Sequence, residues 1–264
     1  MPDLTKKPKV IIAGAGPGDP ELITIKAVNC LRVANYILVD RLVNQELIEL
    51  YANPDARIIY VGKHGGKESI NQDSINDLLV DYGQRAGITV RLKGGDVAIF
   101  SQLLSEIEIL NEHKIPFEII PGITAASGAS VSLGIPLTAR SYSQGVRFLT
   151  YFDDEQVSNS NWEDLVITAD TLVFYMASKS LDGLVSKLNQ FAEKNKALAI
   201  IEQATTPQER VIISSLFTFK EELSDVVIHQ PALLIIGDVV SLYHKPSQLN
   251  QSRNSFFKEH TYAD

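Results

Sequence analysis

The chain alternates short runs of apolar, β-branched residues with longer segments whose apolar residues recur every three or four positions. In the first half, the apolar runs predict strands at 9–13, 36–39, 57–60, 88–92 and 117–120. Helical spacing predicts one helix over 21–34, and another that begins after Asn71 and ends before Gly87. Strands that alternate with helices are typical of a parallel α/β sheet.

The second half shows a similar pattern of apolar runs. It predicts a helix over Leu181–Phe191 and strands at 146–151, 171–176, 198–202, 210–214 and 232–237. The short turn at 205–207 favours some antiparallel pairing, and hence a mixed sheet. Pro121-Gly122 follows the fifth strand and predicts a domain boundary. We therefore expect an N-terminal domain over 1–122, a C-terminal domain over 123–245 and a polar tail over 246–264.

Composition narrows the functional classes. With 264 residues and 45% apolar content, the chain can build two cores, whereas its net charge of −8 disfavours nonspecific nucleic-acid binding. Cys30 is the single cysteine, and neither the N-terminus nor any apolar run is typical of a signal peptide or membrane span. The five histidines show no metal-ligand spacing. We expect a cytoplasmic protein without a bound metal, nucleic-acid partner or membrane contact.

The first glycine-rich motif runs from Gly14 to Pro20, between the first strand and the first helix. Open α/β sheets bind ligands at this edge. A dinucleotide-binding loop is the obvious alternative, with Asp40 as the ribose ligand, but Asp19 stands where its third glycine is required. For an isolated motif, a tight turn that binds nothing is about as plausible.

A second motif, Arg91 to Asp96, also ends a strand and contains Gly94 and Gly95. Paired glycines let a ligand approach the backbone, and Asp96 can accept hydrogen bonds from an amine or hydroxyl. By itself, the motif is better explained as a Gly-Gly turn with Asp96 as a helix N-cap.

Acid and base candidates follow two further strands. Asp40-Arg41 and Lys63-His64 are predicted at the same edge of the parallel sheet, so a proton acceptor and a proton donor can meet there. An exposed aspartate and lysine with a negligible surface interaction is the competing interpretation.

Taken together, these segments resemble the uroporphyrinogen III C-methyltransferase family of the tetrapyrrole methylase superfamily. The resemblance covers residues 9–240 approximately. It rests on the ordered motifs Val10 to Leu22, Asp40 to Val43, Tyr60 to Lys63, Arg91 to Asp96, Pro121 to Gly128, Gly134 to Arg140, Thr171 to Met176, Thr205 to Pro207 and Pro231 to Leu233.

The resemblance implies two α/β domains with an active-site cleft between them, and a homodimer formed largely through the second domain. It implies Asp40 as proton acceptor and Lys63 as proton donor. Its contacts to S-adenosylmethionine, carried over by position, are Pro17, Gly94, Gly95, Asp96, Ile99, Thr124, Ala125, Met176 and the backbone at Ala204.

A substrate with eight carboxylates requires cations in its pocket. From the resembling segments we predict that Arg41, Lys63, His64, Lys67, Arg140 and Arg147 line it. The methyl group is already activated by the sulfonium, so the protein mainly has to align it with a pyrrole carbon and remove a proton.

The sequence departs from the family after Asp96, where a glycine-rich loop carrying an arginine is expected. Ile99, Leu103, Ile107 and Leu110 predict a packed helix there instead, with Gln102 in the arginine's place. Ala204 replaces a usual glycine. The alternatives are a precorrin methyltransferase of cobalamin synthesis, a binding protein without catalysis, and, less favoured, a nicotinamide-dependent dehydrogenase.

Overall fold

The structure is a computed structural model, and it describes residues 9–61, 71–151 and 159–244. The strands are β1 (Lys9–Gly14), β2 (Tyr36–Val39), β3 (Arg57–Tyr60), β4 (Ile88–Lys93), β5 (Phe117–Ile120), β6 (Val146–Thr150), β7 (Thr171–Tyr175), β8 (Ala197–Glu202), β9 (Arg210–Ser215) and β10 (Ala232–Ile236). The helices are α1 (Ile25–Leu31), α2 (Gln45–Tyr51), α3 (Gln72–Gly83), α4 (Leu103–Glu112), α5 (Ala125–Leu133), α6 (Asn159–Ile167), α7 (Leu181–Phe191) and α8 (Phe219–Leu223).

The first sheet is parallel and has the order β3-β2-β4-β1-β5. Its central strand β4 is buried throughout, as expected of a strand with helices on both faces. One face packs on α1 and α2 through Ile11, Val39 and Leu92. The other packs on α3 and α4 through Ile12 and Leu38.

The second sheet is mixed, with the order β6-β7-β10-β8-β9. Strands β6 and β7 are parallel, whereas β10 runs antiparallel to both of its neighbours and β8 forms a hairpin with β9. Helices α6 and α7 cover one face around Trp162 and Leu184. Helix α5 covers the other face through Ala126, Ala129 and Leu133. The parallel and mixed sheets expected from the sequence are therefore confirmed.

The predicted strands coincide with the observed ones to within one residue at each end, and the antiparallel pairing at 205–207 is confirmed. Two helix predictions need correction. The region 21–34 is a short 3₁₀ turn capped by Asp19 and then α1, capped by Thr24, whose hydroxyl accepts the Ala27 N–H. The predicted helix is interrupted at Thr24, because this residue has an extended backbone and its side chain caps the start of α1.

The helix expected from Ile99 onward begins only at Leu103. Phe100 and Gln102 both have positive φ, 49° and 61°, so residues 97–102 form turns rather than a helix. Ile99 lies in these turns and its N–H donates to the Asp96 carbonyl at 3.3 Å. The helical spacing of apolar residues from Leu103 onward corresponds to α4. Ile99 fits the same spacing but lies in a turn.

Candidate active site

The glycine-rich motifs meet at the carboxyl ends of β1, β4 and β5. Gly16 and Gly95 exchange backbone hydrogen bonds, at 3.2 Å from Gly16 N to Gly95 O and 2.8 Å in return. A Cβ on Gly14 would lie 2.6 Å from Gly95 O and 2.7 Å from Gly122 Cα. These glycines are therefore required because three loops approach one another, a reason that the sequence motif alone did not reveal.

Gly95 differs from the others, because a Cβ built on it would meet only the Ala125 nitrogen, at 3.8 Å. Its φ of +70° nevertheless favours glycine. The side of Gly95 that faces the start of α5 is thus open to a ligand, whereas Gly94 packs against Leu42, whose Cβ is 2.8 Å from the ideal Cβ position of Gly94.

Asp96 joins two of these loops. Its Oδ2 accepts the Gly122 N–H at 2.8 Å, and its Oδ1 accepts the Ala98 N–H at 2.7 Å. The carboxylate therefore holds the loop after β4 to the loop after β5. This contact orders the neighbourhood of Gly95.

A cavity of about 450 Å³ lies beside these loops, and its size is typical of small-molecule sites. Both halves of the chain contribute to its walls, which are mainly apolar with cationic groups of Arg41 and Lys179. The lining includes Pro17, Arg41, Leu42, Ala125, Tyr175, Met176, Ser178, Lys179, Ala204 and Leu233.

Tyr175 anchors the start of α5 beside the cavity. Its hydroxyl forms a 2.6 Å hydrogen bond with Thr124 Oγ1 and accepts the Ala126 N–H at 3.2 Å. Burial raises the pKa of the Tyr175 phenol, and the bonds to Thr124 and Ala126 oppose that effect only in part, so the phenol stays neutral. The ring also contacts Phe100, with centroids 5.2 Å apart.

The turn between β8 and β9 forms another wall. Thr205 has φ +65°, and its N–H donates to Glu209 Oε2 at 2.6 Å. Thr205 Oγ1 accepts the Asp19 N–H at 3.1 Å, which links this turn to the loop after β1. Ala204 thus lies on a turn held from both sides.

Asp40 follows β2 at the same sheet edge. Its N–H donates to the Leu92 carbonyl at 2.9 Å, which continues the ladder between β2 and β4 by one residue. Its Oδ1 accepts the Arg41 N–H at 2.9 Å. Asp40 is half-buried, and the two residues that follow it line the cavity.

Sequence reasoning missed a buried charged cluster below this edge. Glu106 of α4 is fully buried, and its Oε1 accepts from Lys93 Nζ at 2.6 Å and from Arg91 Nε at 3.0 Å. Two cations in a fully buried strand already signal the need for a buried acid. Glu106 also falls at helical spacing between Leu103 and Leu110, where an apolar residue would be expected.

The predicted cofactor-binding residues are mostly brought together. Pro17, Ala125, Met176 and Ala204 line the cavity, Gly95 and Thr124 lie beside Ala125, and Gly94 packs on the cavity residue Leu42. Ile99 and Asp96 lie in the loop after β4. Cavity residues that the sequence did not assign to the cofactor or the substrate include Leu42, Tyr175, Ser178, Lys179 and Leu233.

The cationic residues predicted to bind the substrate do not all lie at the cavity. Arg41 lines the cavity and Arg140 is exposed, whereas Lys63, His64 and Lys67 lie outside the described residues. Arg147 requires correction. It is the second residue of β6, at the end of the sheet opposite to Met176, and its guanidinium pairs with Asp164 and, at 2.7 Å, with Asp170. Because two carboxylates already neutralise it, we withdraw Arg147 from the substrate-binding set.

Within residues 9–61, 71–151 and 159–244, no group of His, Cys, Asp and Glu side chains is arranged to hold a metal ion. None of the described helices is both long and apolar enough to cross a membrane.

Comparison with known proteins identifies the family. The model of the Tetrapyrrole (Corrin/Porphyrin) Methylases matches residues 9–220. The chain belongs to this family. The apolar cavity and the open face of Gly95 leave space for a small-molecule ligand.

The individual similarities are extensive. The chain is 43% identical over 241 residues to a sirohaem synthase of Saccharophagus degradans and 43% identical over 248 residues to one of Pseudomonas putida. It covers 52% and 53% of these proteins, so it spans about half the length of the curated relatives it matches, whereas they match 91% and 94% of this chain.

Among solved structures, the uroporphyrin III C-methyl transferase of Thermus thermophilus superimposes with a TM-score of 0.75 at 31% identity, covering 89% of this chain and 100% of that one. A second structure of that enzyme, complexed with S-adenosyl homocysteine, has the same TM-score and coverage at 32% identity. Cobalt precorrin-4 methyltransferase, at 23% identity and a TM-score of 0.76, shares the fold.

Proposed function

We propose that this methylase transfers methyl groups from S-adenosylmethionine to C2 and C7 of uroporphyrinogen III, giving precorrin-2. The full-length likeness to the Thermus thermophilus enzyme supports that substrate. The sirohaem synthase relatives favour sirohaem over cobalamin as the end product. The observation that carries the proposal is that the segment after Asp40 lines the same cavity as Pro17, Ala125, Met176 and Ala204.

The donor supplies a methyl group already activated by its sulfonium, and the protein has to hold that methyl in line with the pyrrole carbon. We assign the donor contacts to Pro17, Gly94, Gly95, Asp96, Ile99, Thr124, Ala125, Met176 and the backbone of Ala204. Asp96 also orders the loops around Gly95, through its bond to the Gly122 N–H. Met176, with φ +59°, follows β7 and lines the cavity.

Asp40 is the proposed base. When the new C–C bond forms and the C–S bond breaks, S-adenosylhomocysteine leaves and the substrate becomes a cation, and Asp40 accepts the proton whose loss neutralises that cation. Lys63 is the proposed proton donor, and Arg41, His64 and Arg140 are the proposed carboxylate contacts. Arg41 is already at the cavity wall.

We also propose that the chain functions as a homodimer in the cytoplasm. A single cysteine fits a reducing compartment, and the acidic charge fits a small-molecule substrate better than a nucleic acid.

The test is an anaerobic incubation of the protein with uroporphyrinogen III and excess S-adenosylmethionine, with the product's methyl count read by mass spectrometry. Two added methyl groups in the wild type and a rate lowered about 100-fold or more in Asp40→Asn would match the proposal. Bound S-adenosylmethionine without methylation would contradict it. That result would direct attention to another tetrapyrrole, because residues 97–102 depart from the family's glycine-rich loop.

A further inference from the structure

The buried cluster of Arg91, Lys93 and Glu106 has no part in the function proposed so far, yet it lies directly behind the sheet edge that carries Asp40. All three side chains are almost completely buried. Lys93 and Arg91 come from alternate positions of β4, and Glu106 reaches them from α4. The cluster therefore fixes α4 against the strand that leads into the Gly94-Gly95 loop.

The register of the sheet places Asp40 beside Lys93. The last paired residues of β2 and β4 are Val39 and Leu92, and the bond from Asp40 N to Leu92 O extends that ladder by one position. Residues paired across parallel strands direct their side chains to the same face. Asp40 and Lys93 therefore share the face on which Leu38 and Arg91 are paired, and from which Glu106 approaches.

The net charge of the cluster favours a second carboxylate, such as that of Asp40, close to Lys93. Two cations share one oxygen of a single carboxylate, and Glu106 Oε2 has no hydrogen-bond partner among the described residues. A buried group with a net positive charge is unfavourable unless another anion compensates it. The register of the sheet makes Asp40 the next carboxylate along this face, at the end of β2.

The electrostatics of Lys93 agree with that geometry. Burial lowers the pKa of its ammonium group, while the carboxylate of Glu106 raises it and the guanidinium of Arg91 lowers it further. The carboxylate of Asp40 also raises the pKa of Lys93, so Asp40 lies within electrostatic reach of the ammonium. From β1, the neighbouring position in the sheet is the uncharged Gly14.

We propose that Lys93 is a positioning residue for Asp40: Glu106 holds the Lys93 ammonium, which in turn fixes the Asp40 carboxylate at the strand end where it accepts the substrate proton. The inference rests on the proposed methyl transfer, because that reaction gives Asp40 its role. Lys93 itself does not line the cavity, so it acts through Asp40 rather than on the substrate.

The activity test compares Lys93→Met and Glu106→Gln with the wild type in the anaerobic assay. Lys196→Met is the matched control, because burial lowers the pKa of Lys196 as it does that of Lys93, but Lys196 bonds the Thr168 carbonyl in the second sheet's domain. We expect Lys93→Met to lower kcat about tenfold or more, with KM and the affinity for S-adenosylhomocysteine within about twofold of wild type. Glu106→Gln should lower kcat in the same direction, and Lys196→Met should leave it unchanged.

A second arm does not depend on turnover. The Lys93 ammonium is titrated by NMR on protein labelled at the lysine side-chain carbons, in the wild type and in Asp40→Asn, with Lys93→Met used to assign the signal. Loss of the Asp40 charge should lower the pH at which Lys93 titrates. This arm also applies if Lys93→Met is too unstable for kinetics, because Glu106→Gln, expected to lower the Lys93 titration further, can then replace it for assignment.

The outcomes separate the two proposals. A wild type that binds S-adenosylhomocysteine but does not methylate uroporphyrinogen III overturns the proposed function, and the Lys93 titration then decides the inference alone. A wild type that methylates while Lys93→Met has an unchanged kcat overturns the inference only. An equal Lys93 titration in the wild type and Asp40→Asn overturns it as well.

Discussion

At the scale of single residues, the site depends on positions where a side chain is absent. Gly14, Gly95 and Gly122 bring three loops within contact distance, and Asp96 ties two of those loops together through the Gly122 N–H. The glycine-rich motif after β1 therefore serves first to let the three loops pack together. The side of Gly95 that faces Ala125 is the part of this region with space for a ligand.

Gly14→Ala should therefore lower the free energy of unfolding by roughly 1–3 kcal/mol, because its Cβ would overlap two backbone segments that cannot move independently. Urea denaturation measures the change, and S-adenosylhomocysteine binding should weaken in parallel. Gly183→Ala is the control: it lies in α7, where the new Cβ meets only the Tyr151 hydroxyl at 3.4 Å. It should stabilise the protein by roughly 0.5–1 kcal/mol. An unaffected Gly14→Ala protein would refute the packing argument.

The two arginines Arg41 and Arg147 should behave differently. Arg41 lines the cavity, so Arg41→Met should raise KM for the tetrapyrrole roughly tenfold through the loss of a charged hydrogen bond. Arg147→Met removes a guanidinium that is already paired with Asp164 and Asp170, so it should lower stability and leave KM unchanged. Steady-state kinetics and thermal unfolding of both variants decide the matter. A raised KM in Arg147→Met would restore that residue to the substrate site.

At the scale of elements, the hairpin of β8 and β9 carries the turn that forms the cavity wall. Glu202 and Arg210 are paired across the hairpin, and the carboxylate accepts two hydrogen bonds from the guanidinium, at 2.6 and 2.8 Å. The same carboxylate accepts the His229 N–H at 2.8 Å. This pair fixes the base of the turn that contains Ala204 and Thr205.

The hairpin should make stability depend on pH. Burial raises the pKa of Glu202, but the hydrogen bonds from Arg210 and His229 outweigh it, so the folded pKa lies below the ordinary 4.5. The unfolded chain therefore binds the proton more readily, and the stabilisation is present above pH 4.5 and lost as the pH falls through the folded pKa. Denaturation measured from pH 6 to 3 should show a shallower loss in Glu202→Gln than in the wild type. Parallel curves would contradict this assignment.

The elements also show what sequence patterns can and cannot predict. The strands were predicted to within a residue, because alternation and buried runs are local properties of the chain. The start of α4 was not, since Phe100 and Gln102 adopt positive φ without a glycine. The short helices α2 and α8 and the helix α6 were not predicted at all.

At the scale of the whole molecule, the ordered motifs predicted the family and the two sheets, and the donor site was predicted by resemblance. The contacts that hold the site together could be identified only from the three-dimensional structure. The roles of Asp96, Tyr175 and Glu106 depend on contacts between residues 26, 51 and 13 positions apart in the sequence, which no periodicity encodes. The position of Arg147 away from the cavity likewise follows from the direction of β6, which no local pattern in the sequence indicates.

The proposed homodimer can be tested on the exposed apolar surface of the second domain. Val131 of α5 is 78% exposed, and Ile213 of the edge strand β9 lies on the face of the sheet that α5 covers. Exposed apolar groups at a sheet edge are a common site of association. Light scattering should give twice the chain mass of 29.1 kDa for the wild type.

Val131→Glu combined with Ile213→Glu should then reduce the mass to that of one chain, because two buried charges would face their symmetry mates across the interface. Ile167→Glu is the matched control, since Ile167 is 75% exposed but belongs to α6 on the opposite face of the sheet. It should remain dimeric. A monomeric wild type would remove the dimer, whereas a monomer produced only by Ile167→Glu would move the interface to the face covered by α6 and α7.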